Sequence, residues 1–148
     1  MPPPRPAALA LLALAALLAA CTPGSGSGNS AGDFRGDQRA VATTVEDLEE
    51  AASDGDENRI CRQLLAPALA RRLAAHRGCA AAVDDAIKNA DTFSMDVESV
   101  RITGNRATAR VKFDTGDRDR FGTIGLTRVR PSAGWRIDRL AGSPQAGR

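Results

Sequence analysis

The hydrophobic period of this chain changes once, at Asp91, from about 3.6 residues to 2. Before that point Val41, Val45, Leu48 and Ala52 fall at i, i+4, i+7 and i+11, one stripe of an amphipathic helix, with Glu46, Asp47, Glu49 and Glu50 off it. Ser53-Asp54-Gly55-Asp56 ends that helix. A second carries Ile60, Cys61, Leu64 and Leu65. Pro67 suits the first turn of a third, with Leu69 and Leu73, and Gly78 breaks it. Val83, Ala86 and Ile87 mark a fourth.

Beyond Asp91 the side chains alternate. Phe93, Met95 and Val97 share one face, and Val100 and Ile102 resume one register later, which predicts a β-bulge near Ser99. Gly104-Asn105 is a tight-turn pair. In the next strand Ala107, Ala109, Val111 and Phe113 face one way, and Arg106, Thr108, Arg110 and Lys112 the other. A polar loop, Thr115 to Asp119, leads to a third strand around Phe121 to Arg130. Pro131-Ser132-Ala133-Gly134 then turns the chain into a last strand, Trp135 to Leu140. Helices first and a meander afterwards predict an α+β domain, with helices packed on one face of an antiparallel sheet.

Ahead of the domain, Arg5 and the N-terminal amine precede Ala7 to Ala20, a run with no polar side chain. Fourteen residues make a helix of about 21 Å, short of the ~30 Å hydrocarbon core, so a secretory signal fits better than a permanent span. Leu18-Ala19-Ala20-Cys21 resembles the lipobox of bacterial lipoproteins, in which the Cys thiol receives a diacylglyceryl group and becomes the first residue after cleavage. Leu18 is bulky where an ordinary signal cleavage site takes a small residue. The expected organisation is a lipoprotein signal peptide over 1–20, and lipidated Cys21 with a Gly/Ser-rich tether over 21–36. The domain follows over 37–142, and a disordered tail over 143–148. Two acyl chains suffice for stable anchoring where one does not. The expected location is the extracytoplasmic face of the cell membrane.

The helix Val41 to Ala52 with Asp54-Gly55-Asp56, Cys61 before Leu64-Leu65, Cys79, the strand Ala107 to Phe113 and the closing Gly134-Trp135-Arg136-Ile137-Asp138 together resemble the extracytoplasmic NTF2-like lipoproteins of high-GC Gram-positive bacteria. The resemblance spans roughly residues 37 to 141. It implies a curved sheet wrapped around helices into a cone with an apolar pocket at its mouth, for which Trp135, Phe93 and Phe113 are the candidate pocket or rim residues. Trp135, opening the last strand, is expected to pack between sheet and helix, with stacking on a ligand at the mouth as the alternative. It also implies a weak homodimer through the sheet, opposed by the arginines of the outer strands. The superfamily holds isomerases, dehydratases and many non-catalytic modules, so the fold does not carry an activity.

With Cys21 lipidated, Cys61 and Cys79 remain, and an even pair in an exported domain most simply forms a disulfide. A metal site needs more ligands than the single His76 adds, and a redox pair usually sits as C-x-x-C. Asp54, Asp56 and Asn58 have the 1, 3, 5 spacing of a calcium loop. Arg59 replaces the glycine of its sharp turn, and Leu65 replaces its bidentate acid, so an interhelical turn with a capping aspartate is expected instead. His76 lies in a basic helix end. Isomerases of this superfamily use an Asp base with a Tyr oxyanion donor, and this chain has no Tyr. Asp96 and Asp138, on strands, are expected to face solvent or pair with arginine.

No catalytic residue, metal or cofactor is assigned. Twenty basic residues against 18 acidic exclude a dedicated nucleic-acid binder, whose basic excess is obvious. The charge is nonetheless uneven, with 8 basic and 12 acidic residues over 33–91 against 10 and 6 over 92–142. Arg106, Arg110, Lys112, Arg128 and Arg130 are expected on the outer sheet face, either solvated or above anionic headgroups. The function expected is a membrane-anchored, non-catalytic NTF2-like module binding a protein partner or an apolar ligand. A lyase or isomerase using the cone pocket, and a structural accessory of an envelope complex, are the alternatives.

Overall fold

A computed structural model describes residues 31–90, 94–114, 119–130 and 134–141. The signal, Cys21, residues 22–30, Phe93 and the tail lie outside the described residues. The described chain opens in a 3-10 turn, Ala31–Asp33. Ala31 is buried, its N–H donates to Glu46 Oε1 at 2.6 Å, and Phe34 packs against the core. The folded body thus begins ahead of Asp37, and its first contacts come from an alanine and an aromatic inside the segment assigned to the tether.

Helix α1 runs Gly36–Ser53 and buries Val41, Ala42, Val45, Ala51 and Ala52, the predicted stripe with its small neighbours. The chain turns at Gly55, whose φ of +65° is open to glycine at little cost. Asp56 caps the single turn α2, Glu57–Arg59, its carboxylate accepting from the Arg59 N–H at 2.9 Å. The predicted second helix then departs from α geometry. Ile60–Leu64 forms a π-helical turn in which the Leu65 N–H donates to the Ile60 carbonyl at 2.9 Å. Leu65 itself is extended and bridges in parallel to Ile137, and the Ala66 N–H donates to the Ile137 carbonyl at 2.7 Å. Pro67 opens α3, Pro67–Arg77. Gly78, at φ +90°, separates it from α4, Cys79–Lys88.

Four strands follow, β1 (Met95–Thr103), β2 (Arg106–Asp114), β3 (Asp119–Arg128) and β4 (Trp135–Ala141). They pair antiparallel in the order β1-β2-β3-β4, an open meander with the helices on one face. The fold is α+β, helices on sheet. The first bulge lies between Val97 and Ser99, where the change of register predicts it, and leaves Glu98 as the extra residue. A second bulge makes Asp138 the extra residue of β4, since Gly125 pairs with Arg139 and Leu126 with Ile137. A Cβ on Gly125 would stand 2.8 Å from Asp138 Oδ1 and 3.1 Å from Arg139 Cβ, so this close approach requires glycine.

Strand β3 starts and ends two residues earlier than the sequence pattern suggests, a shift that leaves each side chain on its face, but Arg128 shares the parity of buried Ile124 and Leu126 and so lies on the inner side. Register partners share a face, so Arg106, Arg110 and Lys112 point outward, away from Ala107, Ala109 and Val111. Arg110 lies over the Phe121 ring at 4.7 Å, and Lys112 pairs with Asp119 at 3.5 Å. Arg128 is not part of that outer face. It stands opposite Trp135, 4.5 Å above the indole, and pairs with Asp37 of α1 at 2.7 Å. Arg130 is exposed beyond the end of β3.

Cys61 and Cys79 are joined in the structure, with their Cα atoms 6.1 Å apart. The bond ties the π-turn to the start of α4 across an 18-residue separation. By loop entropy such a closure stabilises by about 3 kcal/mol. The double substitution Cys61→Ser with Cys79→Ser is therefore expected to lower the urea-unfolding free energy by about 3 kcal/mol. An unchanged midpoint and slope would show that the bond adds nothing to the helical layer.

Candidate functional site

The inner face of the sheet is tiled by rows of facing side chains, and one row is incomplete. Met95, Phe113 and Arg120 stand across β1, β2 and β3, and Ala109, Ile124 and Leu140 stand across β2, β3 and β4. In the row between them Val97 and Val111 face Gly122, which has no side chain to offer. Against the sheet the helices present Ala52 of α1 and Ala86 of α4. A cavity of about 250 Å³ lies between the two layers there. Leu48, Ile60, Val83, Ile87, Met95 and Phe113 supply most of the remaining wall.

The cavity opens at one end of the sheet, where β1 and β3 begin and β2 and β4 end. Its rim is marked by exposed Ala86 and Ala90 and by Leu140, which keeps 50% of its surface in solvent. Among the described lining residues Thr123 is the one polar residue, its side chain on the outer face opposite Arg110, and none is ionisable. A wall of this kind offers dispersion and desolvation of apolar surface, and it offers no acid or base to a reacting group.

The three aromatic candidates separate. Phe113 lines the cavity. Phe93 lies outside the described residues. Trp135 is buried, 5% exposed, at the opposite end of the inner face, in the layer between β4 and α1. Its indole N–H has no hydrogen-bond partner among the described residues. Trp135 borders a second depression of about 620 Å³ instead, with Arg39, Asp47, Arg59, Gln63 and Arg136 around it. The guanidinium groups there are already engaged. Arg39 donates to the Phe34 and Gly32 carbonyls, Arg59 pairs with Asp47 and Glu50, and Arg136 donates to the Arg62 carbonyl at 2.7 Å. This depression therefore offers an incoming anion no uncommitted cation among those three arginines.

The remaining polar candidates are dispersed. His76 is exposed near the end of α3. Asp96 and Asp138 are on the outer face or in the bulge, away from the cavity wall, and Asp138 Oδ1 is buried without a partner among the described residues. No group of three His, Cys, Asp or Glu side chains among the described residues is placed to hold a metal ion. No helix among them is long and apolar enough to cross a membrane. Ala52 and Ala86 are marked in the sequence as helix-stripe residues, and nothing there marks them as walls of a cavity.

One acid beside the cavity is perturbed. Glu49 of α1 accepts from the Met95 N–H at 3.2 Å. Burial raises its pKa above the ordinary 4.5, the Met95 hydrogen bond opposes the rise, and the nearby carboxylates of Asp96 and Glu46 add to it. A carboxyl whose folded pKa is raised binds more protons folded than unfolded between the two values, so stability falls as pH rises through that window. Glu49→Gln keeps an acceptor for Met95 and removes the charge. Its melting temperature is expected to match or exceed that of the parent at pH 7, with a flatter pH dependence just above 4.5. A variant less stable than the parent at pH 7 but equal at pH 4 would reverse the assigned sign. In comparisons with protein-family models, with curated proteins and with solved structures, none matches this chain.

Proposed function

We propose that this chain is a membrane-anchored extracytoplasmic lipoprotein whose domain is a non-catalytic, NTF2-like binding module for an apolar ligand. The observation that carries the ligand half is the cavity, about 250 Å³ with no ionisable side chain in its described wall. An apolar wall of this extent favours the uptake of small apolar molecules. An enzyme of lyase or isomerase type needs titratable groups converging on the substrate, and the nearest perturbed acid, Glu49, is spent on the Met95 backbone. The anchor half rests on the sequence Leu18-Ala19-Ala20-Cys21 after the apolar run. Cys21 precedes Ala31 by ten residues, at most about 35 Å of chain, so a lipidated protein keeps its domain at the membrane surface.

Two readouts test the two halves. Expressed in its host, the full chain is expected to incorporate labelled palmitate and fractionate with membranes, and Cys21→Ser to appear in the soluble fraction. Native mass spectrometry of the membrane-extracted chain is expected to show a non-covalent, lipid-sized adduct. Ala86→Leu, which fills the mouth of the cavity, is expected to lose that adduct. A soluble parent protein would reject the anchor. A bare parent chain that also cross-links to an envelope protein would replace the apolar ligand with a protein partner.

A further inference from the structure

The wall of the cavity is apolar, but the row of side chains at its mouth ends in a cation. Met95 faces Phe113, and Phe113 faces Arg120, all on the inner side of the sheet. Directly opposed residues of an antiparallel pair hold their Cβ atoms about 4.5–5.5 Å apart, so the guanidinium of Arg120 starts beside the ring that lines the cavity. Arg120 is exposed, and among the described residues it has no ion pair, hydrogen bond or ring contact.

Its described neighbours do not neutralise it. Asp119, next in sequence, points to the outer face and pairs with Lys112 at 3.5 Å. Glu49, the perturbed acid, is bound to the Met95 backbone at the β1 side of the mouth, two strand spacings or about 9.6 Å across the sheet. The other described cations near α4 are committed, Lys88 to Asp84 at 2.6 Å and Arg77 to Asp85. Among the described residues the mouth therefore pairs one greasy, enclosed volume with one uncommitted positive charge.

We propose that the occupant of the cavity is a single-chain anionic amphiphile, its tail inside and its head on Arg120. This rests on the reading of the cavity as a ligand site and specifies that ligand. The size argues for one chain. At roughly 30 Å³ per small heavy-atom group, 250 Å³ holds about eight such groups, so a tail of roughly eight to ten carbons fills it and a second chain is left outside. Charge complementarity argues for the head. A carboxylate or phosphate accepts the planar fork of an arginine in two parallel hydrogen bonds, and a neutral or cationic head does not.

The test is equilibrium dialysis of labelled fatty acids against the full chain in nanodiscs of two-chain phosphatidylcholine, with empty nanodiscs as the blank. Affinity is expected to rise about fourfold per CH₂ from hexanoate and to level off near decanoate, when the cavity is full. Decanoate is expected to bind more tightly than decanol, and decanol more tightly than decyltrimethylammonium. Arg120→Gln is expected to weaken decanoate about fivefold and leave decanol unchanged, with Arg120→Lys recovering part of the loss. Ala86→Leu is expected to weaken both.

Decanol binding as tightly as decanoate, or decanoate indifferent to Arg120→Gln, overturns the anionic head and leaves the apolar site standing. Dioctanoyl phosphatidylglycerol binding more tightly than decanoate overturns the single chain in favour of a membrane phospholipid. Decanoate binding that survives Ala86→Leu places the anion on the surface and overturns the proposal. If no amphiphile binds at all, the ligand site itself is rejected.

Discussion

Val41 and Val45 of α1, Ala109 and Val111 of β2 and Ile137 of β4 have no exposed surface, and they meet in one seam between helix and sheet. A four-stranded open meander has one face to bury and two edges to protect, and this seam meets the first need. At about 25 cal/mol per Å² of apolar surface removed from water, it is the main source of favourable free energy in the domain. The rest of the structure adjusts to it. Gln38 of α1 donates to the Val100 carbonyl on the β1 edge at 3.0 Å, and the extended Leu65–Ala66 covers the β4 edge. The stack of Asp37, Arg128 and Trp135 fixes one end of α1 over β3 and β4.

Most of this layer structure is legible in the sequence because it follows from two periods. The stripe of α1, the strand Ala107 to Phe113 and the bulge at Val97/Ser99 each leave a residue pattern that only one local geometry satisfies. The second bulge also leaves a trace. Trp135 and Ile137 alternate, but Leu140 follows after three residues rather than two, which is the spacing change that marks Ser99 in β1. The π-turn leaves none. It is imposed by the pairing of Leu65 with Ile137, a contact across 72 residues that no local window contains. Arg128 is different, since its spacing of two and four residues from Leu126 and Ile124 already puts it on the inner face, and only its contact with Asp37 lies beyond a local window.

The candidate site is less legible than the fold because it is built from absences. Large side chains announce a core through their spacing, and small ones on a helix stripe do not say whether they close a core or leave room in it. Ala52 and Ala86 lie 34 residues apart on α1 and α4, and only the docking of both helices on the sheet makes them walls of one cavity. Phe113 is found by its alternation with Val111 and turns out to line that cavity. Trp135 obeys the same alternation, and it serves the opposite end of the inner face, because period 2 assigns a face and says nothing of position along it.

A gap of this size has an energetic consequence. Residual cavities in cores cost about 24 cal/mol per Å³, so 250 Å³ left dry and closed would cost up to ~6 kcal/mol, comparable to the whole stability of a small domain. Opening to solvent at Ala86, Ala90 and Leu140 reduces that cost, and exposing apolar wall to water restores part of it. The Cys61–Cys79 bond lies beside this weak region, since Cys61 follows Ile60 and Cys79 precedes Val83, both in the cavity wall. It fixes the spacing of the two helical segments that carry those wall residues. An apolar occupant, or a larger side chain such as Ala86→Leu, would recover dispersion contacts along that wall, and this is the energetic ground on which the proposed ligand would bind.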